Sequence, residues 1–453
     1  MFSKTIAFHT LGCKLNFAET STISRKMTEA GFEKTDFENS ADVYVINTCS
    51  VTENADKECR KIVKQVRKRN ANAHVVIIGC YAQLKPKEIS EIDGVSMVLG
   101  AKEKFRLPEY LSLLMNVTRS EKAVVHSCEI EDVKTFESSY SFGERTRAFL
   151  KVQDGCNYPC TYCTIPLARG SSRSDKVEHV VQQAKLLSEL GVKEIVLTGI
   201  NLGDFGIQNG KREETFFDLV KALDGLEGID RYRISSIEPN LLSDEIIKFV
   251  SESNHFMPHF HVPLQSGSNK ILKSMKRRYA RELFAEKIFR IKEAMPLACI
   301  GADVITGFPD ETETDFLDTY NFINELPLSY LHVFTYSERQ NTVAAEMKNK
   351  IPLVIRQERN HQLRILSEKK RNSFYHQNMN QSRPVLFETE SNDGMMEGFT
   401  DNYIKVRSTY VDSFSKSIVN VSLVNLTDDF YLTNLNQNQK LSETLVSNTL
   451  HVS

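Results

Sequence analysis

The chain has 453 residues, a formal net charge of −2 and 41% hydrophobic residues, enough for two or three domains that each bury a core. No run approaches the roughly 20 apolar residues of a membrane span, and the balanced charge gives no general attraction to polyanions. The short stretch ending in Leu11-Gly12-Cys13 is interrupted by His9, which argues against a lipoprotein signal. Nine cysteines in a chain this long favour a reducing cytosol over a disulfide framework, so a cytoplasmic protein is expected.

The first 115 residues are predicted to form a parallel α/β domain of the Rossmann-like kind. β-rich runs alternate there with helical patterns, in the order 5–9, 18–30, 43–47, 55–69 and 74–78. A cysteine follows each β-rich run, at Cys13, Cys49 and Cys80. Because the carboxyl ends of parallel strands share one edge of a sheet, we expect these three thiols to converge.

The rest of the chain predicts a barrel and a smaller β-domain. Residues 116–144 are polar and weakly periodic, which indicates a linker. Six β-rich runs separated by helical patterns follow within 145–376, at residues 148–153, 194–198, 232–236, 259–264, 301–306 and 330–336. Six βα units predict an incomplete (β/α)6 barrel of the TIM type. Short β-runs with turn signals then predict a small β-barrel over 377–440, and 441–453 are expected to be a polar tail.

Three cysteines lie in one short loop directly after the first barrel strand. Cys156, Cys160 and Cys163 have the spacing C-x3-C-x2-C. Three thiolates can bind three irons of a cubane cluster and leave the fourth iron open for a small molecule. The alternative, a structural zinc site, generally needs four ligands, and no fourth cysteine or histidine lies nearby in the sequence. Spacing and position together favour an iron–sulfur cluster.

The cysteines of the first domain form a second candidate metal-binding set. Each of Cys13, Cys49 and Cys80 taken alone fits an ordinary buried core residue, the usual role of a thiol. The same placement after three strands favours a second cluster site instead. The remaining cysteines lack that placement, and core or incidental roles are expected for Cys59, Cys128 and Cys299.

The barrel loop resembles the C-x3-C-x-aromatic-C signature of the radical S-adenosylmethionine (SAM) superfamily, with Tyr162 as the aromatic residue. The resemblance implies that the open iron binds the amino and carboxylate groups of SAM and that Tyr162 packs near the adenine. It also implies SAM contacts at later strand ends, where an ordinary turn role is an equal alternative: Thr198, Gly199, Asn201, Gln265, Thr306 and Gly307. For His259 and His261, two residues apart on one strand, a role in the barrel core or rim is favoured.

Nearly the whole chain resembles the methylthiotransferase family of radical SAM enzymes, which joins a three-cysteine domain, a radical SAM barrel and a TRAM-like β-domain. Its branches act on isopentenyladenosine in tRNA, on threonylcarbamoyladenosine in tRNA, or on an aspartate of a ribosomal protein. Residues 11–20, LGCKLNFAET, are similar to the second branch's G-C-K-[VL]-N-x-x-E-T, where the first branch usually has G-C-Q-M-N. Residues 233–239, RISSIEP, and 331–339, LHVFTYSER, also fit the second branch.

The resemblance implies two 4Fe-4S clusters and SAM as cofactors. The cluster of the barrel loop would cleave SAM reductively, and the cluster on Cys13, Cys49 and Cys80 would hold or donate sulfur. The reaction implied is methylthiolation at C2 of threonylcarbamoyladenosine at position 37 of tRNA. A flavodoxin or ferredoxin is the expected electron donor, and neither DNA nor a membrane is an expected partner. Polar groups around Ser235 and Ser236, with Arg233 nearby, are predicted to receive the threonylcarbamoyl group.

Two features of the sequence leave alternatives open. A non-catalytic iron–sulfur sensor or RNA-binding protein is the rival class, although such a protein has no need of six βα units. The charge distribution gives RNA binding little support. A basic run such as 55–69 is more often the solvent-exposed face of a helix than an RNA site, and acidic residues outnumber basic ones in the β-domain. The family pattern also often has glycine where this chain has Asp310 and Asn341, which matters if those turns require a positive φ.

Overall fold

A computed structural model of the chain describes residues 4–49, 53–115, 122–143, 146–208, 210–390 and 393–435. Within these ranges no helix combines the length and the apolar character that crossing a membrane requires. The described residues form an N-terminal parallel sheet, an open barrel and a C-terminal sheet, in agreement with the predicted fold class.

Six parallel strands build the N-terminal sheet in the order β2-β1-β3-β4-β5-β6. They are β1 (Thr5–Thr10), β2 (Glu33–Lys34), β3 (Val43–Thr48), β4 (His74–Gly79), β5 (Met97–Leu99) and β6 (Val124–His126). The helices are α1 (Lys14–Glu29), α2 (Glu53–Arg69), α3 (Cys80–Leu84), α4 (Pro86–Ser90) and α5 (Leu107–Met115). The two central strands, β3 and β4, are rich in β-branched residues and almost entirely buried. This is expected where helices cover both faces of a parallel sheet.

The barrel contains six parallel strands in the order β8-β11-β14-β15-β16-β17, and a bridge from Tyr232 of β14 to Phe256, three residues before β15, connects its two halves. Its strands and short flanking strands are β7 (Ser139–Tyr140), β8 (Arg147–Lys151), β9 (Gln153–Asp154), β10 (Arg173–Ser174), β11 (Glu194–Thr198), β12 (Ile207–Gln208), β13 (Lys211–Arg212), β14 (Arg231–Ile234), β15 (His259–His261), β16 (Cys299–Thr306) and β17 (Tyr330–Thr335). Its helices are α6 (Ile165–Arg169), α7 (Val177–Glu189), α8 (Phe216–Asp224), α9 (Asp244–Glu252), α10 (Asn269–Ser274), α11 (Arg281–Ala294), α12 (Glu313–Glu325) and α13 (Leu353–Gln377). Among the described residues β8 and β17 do not pair, so the barrel is incomplete, as predicted.

The segment predicted as a linker contributes to both neighbouring sheets. β6 extends the N-terminal sheet by pairing with β5, and β7 pairs antiparallel with β8 at the edge of the barrel. Their lengths, three and two residues, are too short to give a periodic pattern. The proposed boundaries at 115, 144, 376 and 440 stay a prediction.

The C-terminal sheet has its own core and is fixed to the barrel. Its order is β21-β18-β19-β20-β23-β22, with β18 (Ser382–Glu390), β19 (Met395–Thr400), β20 (Lys405–Thr409), β21 (Ile418–Ser422), β22 (Asn425–Leu426) and β23 (Tyr431–Thr433). Arg231 donates to the carbonyl oxygens of Pro384 (2.7 Å) and Phe399 (3.2 Å). Because the Arg231 guanidinium group satisfies two backbone oxygens of this sheet, the sheet is held in one orientation on the barrel floor.

The two positions where the family often has glycine both adopt the left-handed conformation. Asp310 has φ of 66° and Asn341 has φ of 63°. Asn and Asp tolerate this region better than other residues with a side chain, so both turns are retained.

Replacing Asn341 with alanine should therefore lower the free energy of unfolding by about 1 kcal/mol, because alanine lacks the tolerance of asparagine for positive φ. Asn341→Gly should change it by less than about 0.5 kcal/mol. Urea denaturation measures both, with Asn372→Ala on the exposed face of α13 as the matched control. An alanine variant as stable as the glycine variant would contradict the proposed strain.

Candidate functional site

A cavity of about 310 Å³ opens at the carboxyl ends of the barrel strands and contains all three cysteines of the barrel loop. Side chains from five later strand ends complete its wall. They include Asn201, Ser236, Glu238, Gln265, Asp303, Ile305 and Phe334. This is the edge of a TIM-type barrel at which active sites form.

Each thiol of the barrel loop has a nearby hydrogen-bond donor. The backbone N–H groups of Tyr158 and Ile165 donate to the sulfur atoms of Cys156 and Cys163, both at 3.4 Å. Arg277 Nη1 lies 3.2 Å from Cys160 Sγ. Hydrogen bonds from these donors stabilise the thiolate form of the three cysteines.

Burial nevertheless raises the pKa of the Cys156 thiol to about 12 and that of the Cys163 thiol to about 11. Thiolates here therefore need a bound cation, as cluster iron provides. The donor set and the burial together fit a three-thiolate iron–sulfur cluster.

Arg277 is the main residue of this cavity that the sequence did not reveal. Besides Cys160 it reaches the Tyr162 hydroxyl at 3.5 Å and forms a short ion pair with Glu238. Burial raises the pKa of Glu238 although Arg277 opposes that shift. The only local signal is the basic run at 276–278, which follows the short helix α10. Its contact with a loop 115 residues away is invisible to local patterns.

The predicted SAM contacts divide into two groups. Tyr162, Asn201 and Gln265 line the cavity. The other four are outside its lining, where they make structural contacts: Thr198 donates to the carbonyl of Leu150, the Gly199 backbone lies against Gln153, Thr306 donates to the carbonyl of Arg356, and the Gly307 N–H donates to Glu311. These four therefore support the strand ends from behind the cavity wall.

The two histidines of β15 are both buried and have side-chain partners. His259 is buried, contacts the hydroxyl of Tyr330 at 3.2 Å and stacks on Tyr403. His261 Nε2 lies 2.9 Å from Asp303, whose other imidazole neighbour is His332 at 3.3 Å.

Strand register brings together the cysteines of the N-terminal domain. Thr10 lies opposite Asn47, and Thr48 opposite Gly79, so the chain leaves β1, β3 and β4 side by side just before Cys13, Cys49 and Cys80. The Gly12 backbone lies so close to Cys49 that an added Cβ would be 2.6 Å from the Cys49 Cβ. With φ of 100°, Gly12 is a position that requires glycine.

The side chain of Asn16 forms hydrogen bonds both with these strand ends and with the barrel. Its amide nitrogen donates to the carbonyl oxygens of Leu11 (2.8 Å) and Thr48 (3.1 Å), just before two of the cysteines. Its amide oxygen accepts from Arg169 Nη2 at 2.6 Å. Arg169 ends α6, the helix that begins two residues after Cys163, so one short helix links the two cysteine sets.

A buried network of charges surrounds this contact. It contains two carboxylates and four cations: Glu19, Asp154, Lys104, Lys151, Arg169 and Arg173. Although burial alone would raise the pKa of Glu19, Arg169 and the two lysines lower it. Arg169 Nε is buried without an acceptor among the described residues. The excess of positive charge beside Cys80 fits an anionic cluster on the three cysteines.

A second, smaller cavity of about 180 Å³ lies in the barrel interior, below the first. It is lined by side chains from all three parts of the chain, among them Lys14, Phe17, Arg147, Arg233, Ser235, His259 and Tyr403. Arg233, which was predicted to lie near the substrate, lines this cavity, but its Nε lies 2.9 Å from Glu194, and it donates to the carbonyl oxygens of Thr400 and Asp401. These contacts hold the C-terminal sheet, and a contact between Arg233 and substrate stays a prediction.

Two family models match the chain. Residues 5–100 match the Uncharacterized protein family UPF0004, and residues 150–323 match the Radical SAM superfamily. Among solved structures, the radical SAM methyltransferase TsrM from Kitasatospora setae has a TM-score of 0.54 at 14% identity, covering 73% of each chain. At that identity the likeness concerns the fold alone.

Curated relatives match almost end to end. The threonylcarbamoyladenosine tRNA methylthiotransferase MtaB of Bacillus subtilis is 41% identical over 93% of this chain and 94% of its own length. The Aquifex aeolicus protein of the same name is also 41% identical, over 89% and 96%. A tRNA-2-methylthio-N(6)-dimethylallyladenosine synthase of Alkaliphilus oremlandii is 33% identical over 79% and 76%. By sequence, architecture and the geometry of its two cysteine sets, the chain belongs to the methylthiotransferase family of radical SAM enzymes, which use SAM and two 4Fe-4S clusters.

Proposed function

We propose that the protein methylthiolates C2 of N6-threonylcarbamoyladenosine at position 37 of tRNA. The observation that carries this proposal is the 41% identity, over 93% of the chain, to a relative named for that substrate. The isopentenyladenosine branch matches less of the chain, at 33% identity over 79%. The ribosomal-protein aspartate is the other rival acceptor.

The residues of the two sites have distinct proposed roles. Cys156, Cys160 and Cys163 hold the cluster that binds SAM, and Cys13, Cys49 and Cys80 hold the auxiliary cluster. When bound, these groups supply one electron for SAM cleavage and the sulfur that is transferred. Tyr162, Asn201 and Gln265 orient SAM in the larger cavity, whose wall they form. Thr198, Gly199, Thr306 and Gly307 stay part of the proposed SAM site as supports of that wall.

The position of α1 explains how one acceptor can reach both cysteine sets. α1 starts directly after Cys13 and packs against the barrel, where Phe17 and Ala18 contact Phe149 and Val196. The end of β1, which precedes this helix, therefore lies next to the barrel. In the proposed reaction, an adenine in the larger cavity lies between the two cysteine sets and is shielded from water, which suits radical chemistry.

Two partner assignments complete the proposal. A flavodoxin or ferredoxin delivers the electron, and the protein works in the cytoplasm on tRNA. Neither DNA nor a membrane takes part.

Nucleoside mass spectrometry of tRNA from cells that lack the protein tests the substrate. We expect threonylcarbamoyladenosine to accumulate while its 2-methylthio form disappears. Complementation with the intact gene is the control and should restore the 2-methylthio form. Loss of 2-methylthio-isopentenyladenosine, or of methylthiolated ribosomal protein, would instead assign the chain to another branch.

A further inference from the structure

The smaller cavity has a strongly basic wall. Three of its lining side chains carry positive charge, Lys14, Arg147 and Arg233, and no described carboxylate lines it. The neighbouring His259 is kept neutral, because burial and the nearby arginines lower its pKa. The remaining wall is apolar or aromatic, apart from Ser235.

Two of the three cations already have partners. Arg233 is bound to Glu194 and to the C-terminal sheet. Arg147 lies 3.2 Å from Glu388 and 3.9 Å from Glu194. Around the ammonium of Lys14, by contrast, the described residues provide no hydrogen-bond acceptor or carboxylate within bonding distance. Lys14 is partly exposed and lines the cavity, so its ammonium is available to an anion that enters there.

The backbone holds Lys14 firmly in this position. It is the first residue of α1, and that helix is anchored to the barrel by Arg169 at Asn16 (2.6 Å) and by Lys151 at Glu19 (3.1 Å).

The smaller cavity adjoins the larger one at the end of β14. Ser235 lines the smaller cavity and Ser236 the larger. A base bound beside Ser236 in the larger cavity would therefore have its N6 substituent within reach of the smaller cavity and Lys14. The threonylcarbamoyl group carries a carboxylate and a hydroxyl, whereas an isopentenyl group is apolar.

We propose that the smaller cavity binds the N6 substituent of the target adenosine, with the Lys14 ammonium as the partner of its carboxylate. The inference rests on the proposed function and names the residue that selects among N6 substituents. An isopentenyl group offers the ammonium no acceptor, so the cavity discriminates against it.

Binding of modified RNA tests this role without any turnover. The probes are three anticodon stem-loops that differ only at position 37, carrying threonylcarbamoyladenosine, isopentenyladenosine or adenosine. Each is titrated by fluorescence anisotropy, at one salt concentration, against the two-cluster enzyme, its Lys14→Gln variant and the control Lys64→Gln. Lys64 is exposed on α2, outside both cavities.

The wild type and Lys64→Gln should bind the threonylcarbamoyl RNA about tenfold more tightly than the other two, and Lys14→Gln should lose that preference while binding unmodified RNA normally. An unchanged preference in Lys14→Gln overturns the inference and leaves the proposed function intact. A wild type without the preference overturns the proposed substrate itself.

Thermal unfolding separates substrate binding from a structural role. Because no described residue forms a hydrogen bond or ion pair with the Lys14 ammonium, Lys14→Gln should unfold at a temperature no lower than the wild type. A lower midpoint, including failure to fold, would assign Lys14 a structural role and overturn the inference.

Discussion

Cys49→Ala is expected to keep reductive cleavage of SAM and to lose methylthiolation, whereas Cys160→Ala should lose both. Cys160 lies in the loop that lines the larger cavity, while Cys49 follows β3 on the N-terminal sheet. The two cysteine sets belong to different domains, so each cluster should assemble without the other.

Three measurements check this separation after anaerobic reconstitution. Iron content should be about eight per wild-type chain and about four when Cys13, Cys49 and Cys80 are all replaced by alanine. 5′-Deoxyadenosine reports SAM cleavage, and nucleoside mass spectrometry reports thiolation. Cys59→Ala, in the buried core of the N-terminal domain, is the matched control and should retain both activities. Sustained 5′-deoxyadenosine production by Cys160→Ala would contradict the assignment.

Glu19→Gln is expected to lower the free energy of unfolding by about 3–5 kcal/mol, because it leaves buried cations without their counter-charge. Glu19 is fully buried and contacts Lys104 (2.6 Å), Lys151 (3.1 Å) and Arg169 (3.1 Å). Since this network joins α1 to the barrel, the variant should also loosen the N-terminal domain from the larger cavity.

Urea denaturation followed by circular dichroism measures the loss. The matched control is Glu29→Gln at the exposed end of the same helix, which should change stability by less than about 0.5 kcal/mol. A Glu19→Gln variant within about 1 kcal/mol of the wild type would show that the remaining charges rearrange without cost.

Some features of this protein follow from the sequence alone, because they depend on neighbours along the chain. The β-branched runs of β3 and β4 predict buried parallel strands, and the cysteines directly after them predict a shared sheet edge. The spacing of Cys156, Cys160 and Cys163 predicts a three-thiolate site within a single loop. At Asn341 the sequence raised the question of a positive φ, and the structure shows that asparagine retains the turn.

Other features were decided only by tertiary packing, because their partners lie more than 100 residues apart. Arg277 meets Cys160 across 117 positions, and Arg169 meets Asn16 across 153. Arg233 was expected to face substrate, but it binds backbone oxygens 167 and 168 residues away. Local periodicity specifies which face of a strand or helix is buried, yet it carries no information on which charges meet when the domains pack. For that reason the position of Lys14, in a cavity lined by all three parts of the chain, emerges only from the folded protein.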